Sequence, residues 1–164
     1  MKNVQKGLLL LLSVTIAVTT NAQEKKEDKI KRIVAEQNYV FVAQFVNPQN
    51  GRTRSLNTLD YTVTIKKDSV VSYLPYFGRA YSAPINPSAG GITFTSTKFD
   101  YVNSPKGSKW QILIKPKDAS DVQQMYLDIF DNGNATLQVT STNRQGISYN
   151  GYITEGAPLN KKAF

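Results

Sequence analysis

Apolar and polar residues alternate with a period of two along most of this chain. Tyr61, Val63 and Ile65 alternate with Thr62 and Thr64, and Val70 to Leu74 answers them across Lys66-Lys67-Asp68-Ser69. Ile92 and Phe94 alternate with Thr93 and Thr95 in a run that continues to about Tyr101. Trp110, Ile112 and Ile114 come next, then Leu127 and Ile129, Leu137 and Val139, and finally Ile147, Tyr149, Gly151 and Ile153. A strand points successive side chains to opposite faces, so the alternation predicts half-buried strands. Asp131-Asn132-Gly133-Asn134 contains the Asn-Gly pair, which supplies the positive φ angles of a tight hairpin. Asn143-Arg144-Gln145-Gly146 marks a further turn.

Three segments depart from this rhythm. Gln23 to Gln37 is charged and places Ile30, Ile33, Val34 and Gln37 at helical spacing, which predicts a surface helix ending at Asn38. Tyr39 to Val46 is apolar on both faces except at Gln44, so it predicts a strand covered on both sides, with the helix a candidate cover. Asp118 to Met125 suggests a turn of helix capped by Ser120. The pattern as a whole is mostly β. It predicts a single antiparallel β-sandwich or up-and-down β-barrel of about eight strands with one N-terminal α-helix, over residues 23–155, and a flexible tail at 156–164.

The first 22 residues read differently. Lys2 and Lys6 precede an apolar run from Gly7 to Val18, and Thr20-Asn21-Ala22 offers small side chains where a signal peptidase reads. The run is about half the length a membrane span needs. Cleavage after Ala22 is therefore expected, giving a periplasmic or secreted protein with no integral membrane span in the mature chain. The 20 basic residues outnumber the 12 acidic ones. They are scattered, and the local run from Lys25 to Arg32 is interleaved with Glu27 and Asp28, as on a solvated helix face. Nucleic acid is not an expected partner.

The chain has no histidine and no cysteine. That removes the commonest general base, a thiolate nucleophile and a zinc thiolate site. No cofactor and no metal are expected. Asp131 to Asn134 resembles part of a calcium loop but lacks the later bidentate glutamate, and a hairpin accounts for all four residues. Asp60, Asp100, Asp128 and Glu155 lie in or beside predicted strands, so a carboxylate-dependent hydrolase needs at least two of them in one cleft. Neither a Gly-x-Ser-x-Gly nor a Ser-x-x-Lys arrangement occurs.

The unusual segment runs from Leu74 to Pro87, with three prolines, three aromatics and an arginine between two strands. Tyr76, Phe77 and Tyr81 are candidate pocket-lining residues, and Arg79 is a candidate for stacking on a ring or meeting an anion. The same residues suit a rigid loop that folds over the open end of the sheet. The leading expectation is a non-enzymatic module that binds a small apolar or amphipathic ligand at one end of the β frame. The alternative is a module that binds another protein of the cell envelope.

Leu74-Pro-Tyr-Phe-Gly-Arg-Ala-Tyr81, preceded by Asp68-Ser69-Val70 and followed by Asn132-Gly133, Leu137, Asn143-Arg144-Gln145, Tyr149 and Gly151, resembles the bacterial family DUF4251, a domain of unknown function. The resemblance implies an exported protein of Gram-negative, gut-type bacteria and brings no catalytic residues with it. In such bacteria Asp68-Ser69-Val70 is also similar to a short acceptor for protein O-glycosylation at Ser69, while a hairpin turn explains the same three residues.

Overall fold

The computed structural model describes residues 25–81 and 90–156. The expected signal segment, the Ser82–Pro87 part of the proline-rich segment and most of the expected tail lie outside the described residues. Helix α1 spans Lys26–Ala35 and buries Ile30, Ile33 and Val34. It is shorter than its apolar spacing suggested. Gln37 takes a positive φ of 51°, and the Gln37 and Asn38 amides donate to the Val34 and Ile33 carbonyls. These two bonds form a Schellman cap, which turns the chain out of the helix before Asn38.

Ten strands follow. They are β1 (Tyr39–Pro48), β2 (Arg54–Ser55), β3 (Thr62–Ile65), β4 (Val70–Leu74) and β5 (Ile92–Ser96), then β6 (Phe99–Lys106), β7 (Lys109–Pro116), β8 (Val122–Phe130), β9 (Asn134–Ser141) and β10 (Ile147–Glu155). All pairings are antiparallel, in the order β5-β4-β3-β1-β10-β9-β8-β7-β6, with the short β2 also on β1. The sheet is a nearly closed barrel, which resolves the choice between sandwich and barrel.

The strand count exceeds the expected eight for two reasons. β2 is too short to carry a periodic signal, and the run from Ile92 to Tyr101 is broken in two. Thr97 and Lys98 join β5 to β6, the two ends of the sheet order, so one stretch of chain pairs with β4 on its first half and β7 on its second. Asp118 pins this corner. Its carboxylate accepts from the Ser96 hydroxyl and from the Thr97 and Lys98 amides, and Lys117 N–H donates to the Lys98 carbonyl at 2.7 Å. This corrects the expected helical turn after Asp118: residues 118–121 are irregular, and Val122 and Met125 enter the core from β8, whose register shifts at a bulge between Val122 and Gln124.

The interior is filled. Tyr39, Phe41, Leu74, Met125, Leu127 and Tyr149 are each less than 2% exposed and pack in one cluster with Ile33 of the helix. The Tyr39 and Tyr101 hydroxyls meet at 3.1 Å across the barrel, between β1 and β6. β1 and β10 approach so closely at a bulge that a Cβ on Gly151 would run into the Val42 carbonyl. The Asn-Gly turn between β8 and β9 has a positive φ only at Gly133, 82°, so it is a three-residue loop of a type I turn followed by a left-handed residue. Along β8 and β9 the inward positions are mainly apolar, and the outward ones are polar apart from Tyr126 and Phe130, which is not the continuous apolar outer band of a barrel that sits in lipid. Among the described residues no helix is long and apolar enough to cross a membrane.

Candidate functional site

The barrel has two ends of different construction. At one, α1 lies against the β8–β9 turn and the end of β10, with Ile30 touching Gly133. At the other, the segment after β4 folds back over the β9–β10 turn. Tyr149, buried on β10, donates its hydroxyl to the Pro75 carbonyl at 2.7 Å. The Tyr76 hydroxyl lies 2.9 Å from the Arg79 carbonyl and 3.0 Å from the Gln145 carbonyl. Gln145 N–H donates to Arg79 and Tyr81 N–H to Asn143. Arg144 completes the lock: it pairs with Asp121 at 2.8 Å, donates to the Gly91 carbonyl and lies over the Tyr76 ring at 5.2 Å. Its side chain is only 12% exposed. Burial pushes the Tyr76 and Tyr149 hydroxyls above the usual tyrosine range.

Among the described residues, the four singled out in this segment differ in how they are placed. Tyr76 faces the barrel and is fully engaged, whereas Phe77, Arg79 and Tyr81 are exposed. The guanidinium over Phe77 is that of Arg54, 4.8 Å from the ring centroid, and the one over Tyr76 is that of Arg144; Arg79 contributes its backbone to the lock. Ser69 sits half-buried in the β3–β4 turn and donates to the Asp68 carboxylate at 2.9 Å.

The four strand-borne acids are engaged in four separate places. Asp60 accepts from Thr58, Asp100 pairs with Lys117, Asp128 with Lys109, and Glu155 with both Lys29 and Arg32. The hydrogen bond from Arg32, then that from Lys29, holds Glu155 below the usual carboxylate range. Among the described residues no group of three or more carboxylates is placed to hold a metal ion. Asn132 turns its side chain back to accept from the Asn134 amide, as a hairpin residue does.

An open surface of another kind lies on the outer face of β6 to β10 and β1. Strand register aligns Val102, Leu113, Tyr126, Gln138, Ser148 and Asn47 in one rung across six strands. The adjacent rung aligns Ser104, Gln111, Asp128, Thr136, Asn150 and Phe45. Two shallow grooves, of about 230 and 270 Å³, meet at Gln138. Tyr126 (45% exposed) presents apolar surface in the first of them, while Phe45 and Val102 are exposed at the ends of the rungs, away from both grooves. Gln111 and Lys109 both donate to Asp128, and Thr136 donates to Asn150, so part of the polar lining is held in place. Among the described residues the Tyr126 hydroxyl and the Gln138 amide make no hydrogen bond.

Sequence reasoning passed over this face because its residues are separated by up to about a hundred positions. Part of it was within reach. The Asn132-Gly133 turn sets the register of β8 against β9, and that register alone opposes Tyr126 to Gln138 and Asp128 to Thr136.

Fold and surface together define a small antiparallel barrel, filled inside, locked at one end and open along one outer face. The chain belongs to the DUF4251 family, a domain of unknown function, which matches residues 21–153. It is similar in fold to the crystal structure of a DUF4251 family protein from Bacteroides eggerthii, with a TM-score of 0.56 and 17% sequence identity over 84% of this chain and 92% of that one. No curated protein matches the chain.

Proposed function

We propose that this protein is an exported, non-enzymatic binding module that holds an amphipathic ligand on the outer face of β7–β10. The observation that carries the reading is the pair of in-register rungs, which place exposed apolar surface at Tyr126 beside unengaged polar groups at Gln138. A binding surface needs this mixture: apolar area for affinity and a few fixed polar groups for orientation. The filled interior and the locked Leu74–Tyr81 segment favour the face over the barrel end. Export is supported by the signal-like pattern in residues 1–22 and by a family domain that begins at residue 21. The separate engagement of Asp60, Asp100, Asp128 and Glu155 speaks against paired-carboxylate chemistry.

Native mass spectrometry of protein purified from its own host's periplasm tests this reading. The expected result is a mature chain starting at Gln23 with a discrete mass excess that vanishes on denaturation and is missing from Tyr126→Ala protein. A mass excess that Tyr126→Ala retains would move the site elsewhere on the barrel. A bare mass for the unaltered protein would remove tight ligand retention and favour a protein partner.

A further inference from the structure

We infer that the ligand of this face is a neutral carbohydrate; the inference rests on the face being the binding surface. One residue in five of this chain is charged, and basic residues dominate. The twelve positions of the two rungs hold a single charge, Asp128, and Lys109 neutralises it at 3.1 Å. An anionic ligand would look for unpaired cations, and nucleic acid for a basic stripe. The two rungs offer neither; the exposed Lys106 and Lys115 of the same outer face stand beyond them, at opposite ends of the β6–β7 pair.

What it offers is amide and hydroxyl chemistry. Gln111, Gln138, Asn47 and Asn150 stand in the rungs with Ser148 and Thr136 between them. A side-chain amide donates and accepts at once in one plane, which suits vicinal hydroxyls that also do both. Water competes for such bonds, so a sugar site also needs an apolar platform. Pyranose rings carry one, a face of C–H groups that packs on an aromatic ring. Tyr126 supplies that ring, exposed on β8 directly beside Gln138. The groove it lines meets, at Gln138, the one lined by Ser148 and Asn47, a track that suits a chain of several rings rather than a single one. The bonds from Gln111 to Asp128 and from Thr136 to Asn150 fix part of the lining beforehand, which lowers the ordering cost of binding.

Other features of the molecule point less clearly to a ligand. The larger groove beside α1, about 510 Å³, has a floor of Ile30 and Ile33 that is already buried, and its Lys29 and Glu155 satisfy each other. A protein partner would find no broad apolar centre on the rung face: Val102, Leu113 and Tyr126 form one short apolar strip across three strands, bounded by Ser104, Gln111, Asp128 and Gln138, and Phe45 lies apart from it.

The test is amide-resolved NMR on the mature protein with four probes: cellohexaose, mannohexaose, a polygalacturonate hexamer and sodium laurate. The expected result is a saturable shift of the Gln111, Tyr126 and Gln138 signals with one of the two neutral hexasaccharides. Tyr126→Ala should weaken that association by roughly tenfold or more while leaving the far-UV and thermal unfolding curves unchanged. Gln138→Leu, which keeps the side chain's bulk and removes its amide, should weaken it as well. Shifts on the same face from laurate or polygalacturonate alone would overturn the carbohydrate assignment and leave a binding face of another specificity. Shifts confined to residues around α1, or none with any probe, would overturn the face as a binding site together with its ligand.

Discussion

The locked segment Leu74–Tyr81 and the open face around Tyr126 carry the same kinds of residue, aromatics beside polar groups, and put them to opposite use. In the first, Tyr76 and Tyr149 spend their hydroxyls on backbone carbonyls, and Arg144 sits between an aspartate, a carbonyl and a ring. In the second, the Tyr126 ring and the Gln138 amide are left to solvent. Aromatic richness therefore does not mark a binding site by itself. The accounting of hydrogen bonds separates the two, because a buried polar group must find its partner within the protein, whereas an exposed one remains available.

Four measurements bear on this contrast. Arg144→Ala should have the largest effect: it strands Asp121 and the Gly91 carbonyl and frees the Tyr76 ring, and a loss of about 3 kcal/mol is expected from the urea midpoint. A loss near zero would mean that the segment is not held by this lock. Tyr149→Phe removes one buried bond and leaves the Pro75 carbonyl unpaired, so about 1–2 kcal/mol should be lost in the same assay.

The third measurement concerns the corner at Asp118. The Ser96 hydroxyl, then the Thr97 amide, holds its carboxyl below the ordinary value of 3.8. A depressed folded-state value contributes stability that is complete above the unfolded-state value and is lost as pH falls through the folded one. Asp118→Asn should therefore flatten the decline in stability on acidification below about pH 5 and leave the neutral range unchanged in slope. An unchanged acid slope would mean that the corner closes the barrel without this carboxylate. The smallest effect is expected on the open face, where Tyr126→Ala should change stability by less than about 0.5 kcal/mol. A large loss there would show that Tyr126 is a packing residue, and the contrast would fail.

Particular residues show how far the sequence could be read. The alternation of Val63 and Ile65, of Ile112 and Ile114, and of Leu137 and Val139 located inward positions correctly, since all six are buried. The stripe of Ile30, Ile33 and Val34 identified the helix face, but Gln37 ended the helix through a left-handed conformation that its side chain does not advertise. The broken run at Thr97 was hidden because alternation resumes after it at Phe99 and Tyr101, and the cause of the break, Asp118, lies about twenty residues further on. The segment after Leu74 was legible as unusual. Whether it opened a cavity or sealed an end depended on Arg144 and Tyr149, far along the chain.

The sequence by itself determined the elements and their inward faces, because period-two alternation and turn chemistry act over a few residues. It also determined that histidine and thiol chemistry are absent, because composition needs no geometry. Only the tertiary structure decided that the sheet closes into a barrel at the Thr97–Lys98 corner, that Arg144 locks the segment after β4, and that Tyr126 and Gln138 lie side by side on an open face. Each of these depends on long-range register and hydrogen-bond partners, and such pairings leave no periodic trace in a linear chain.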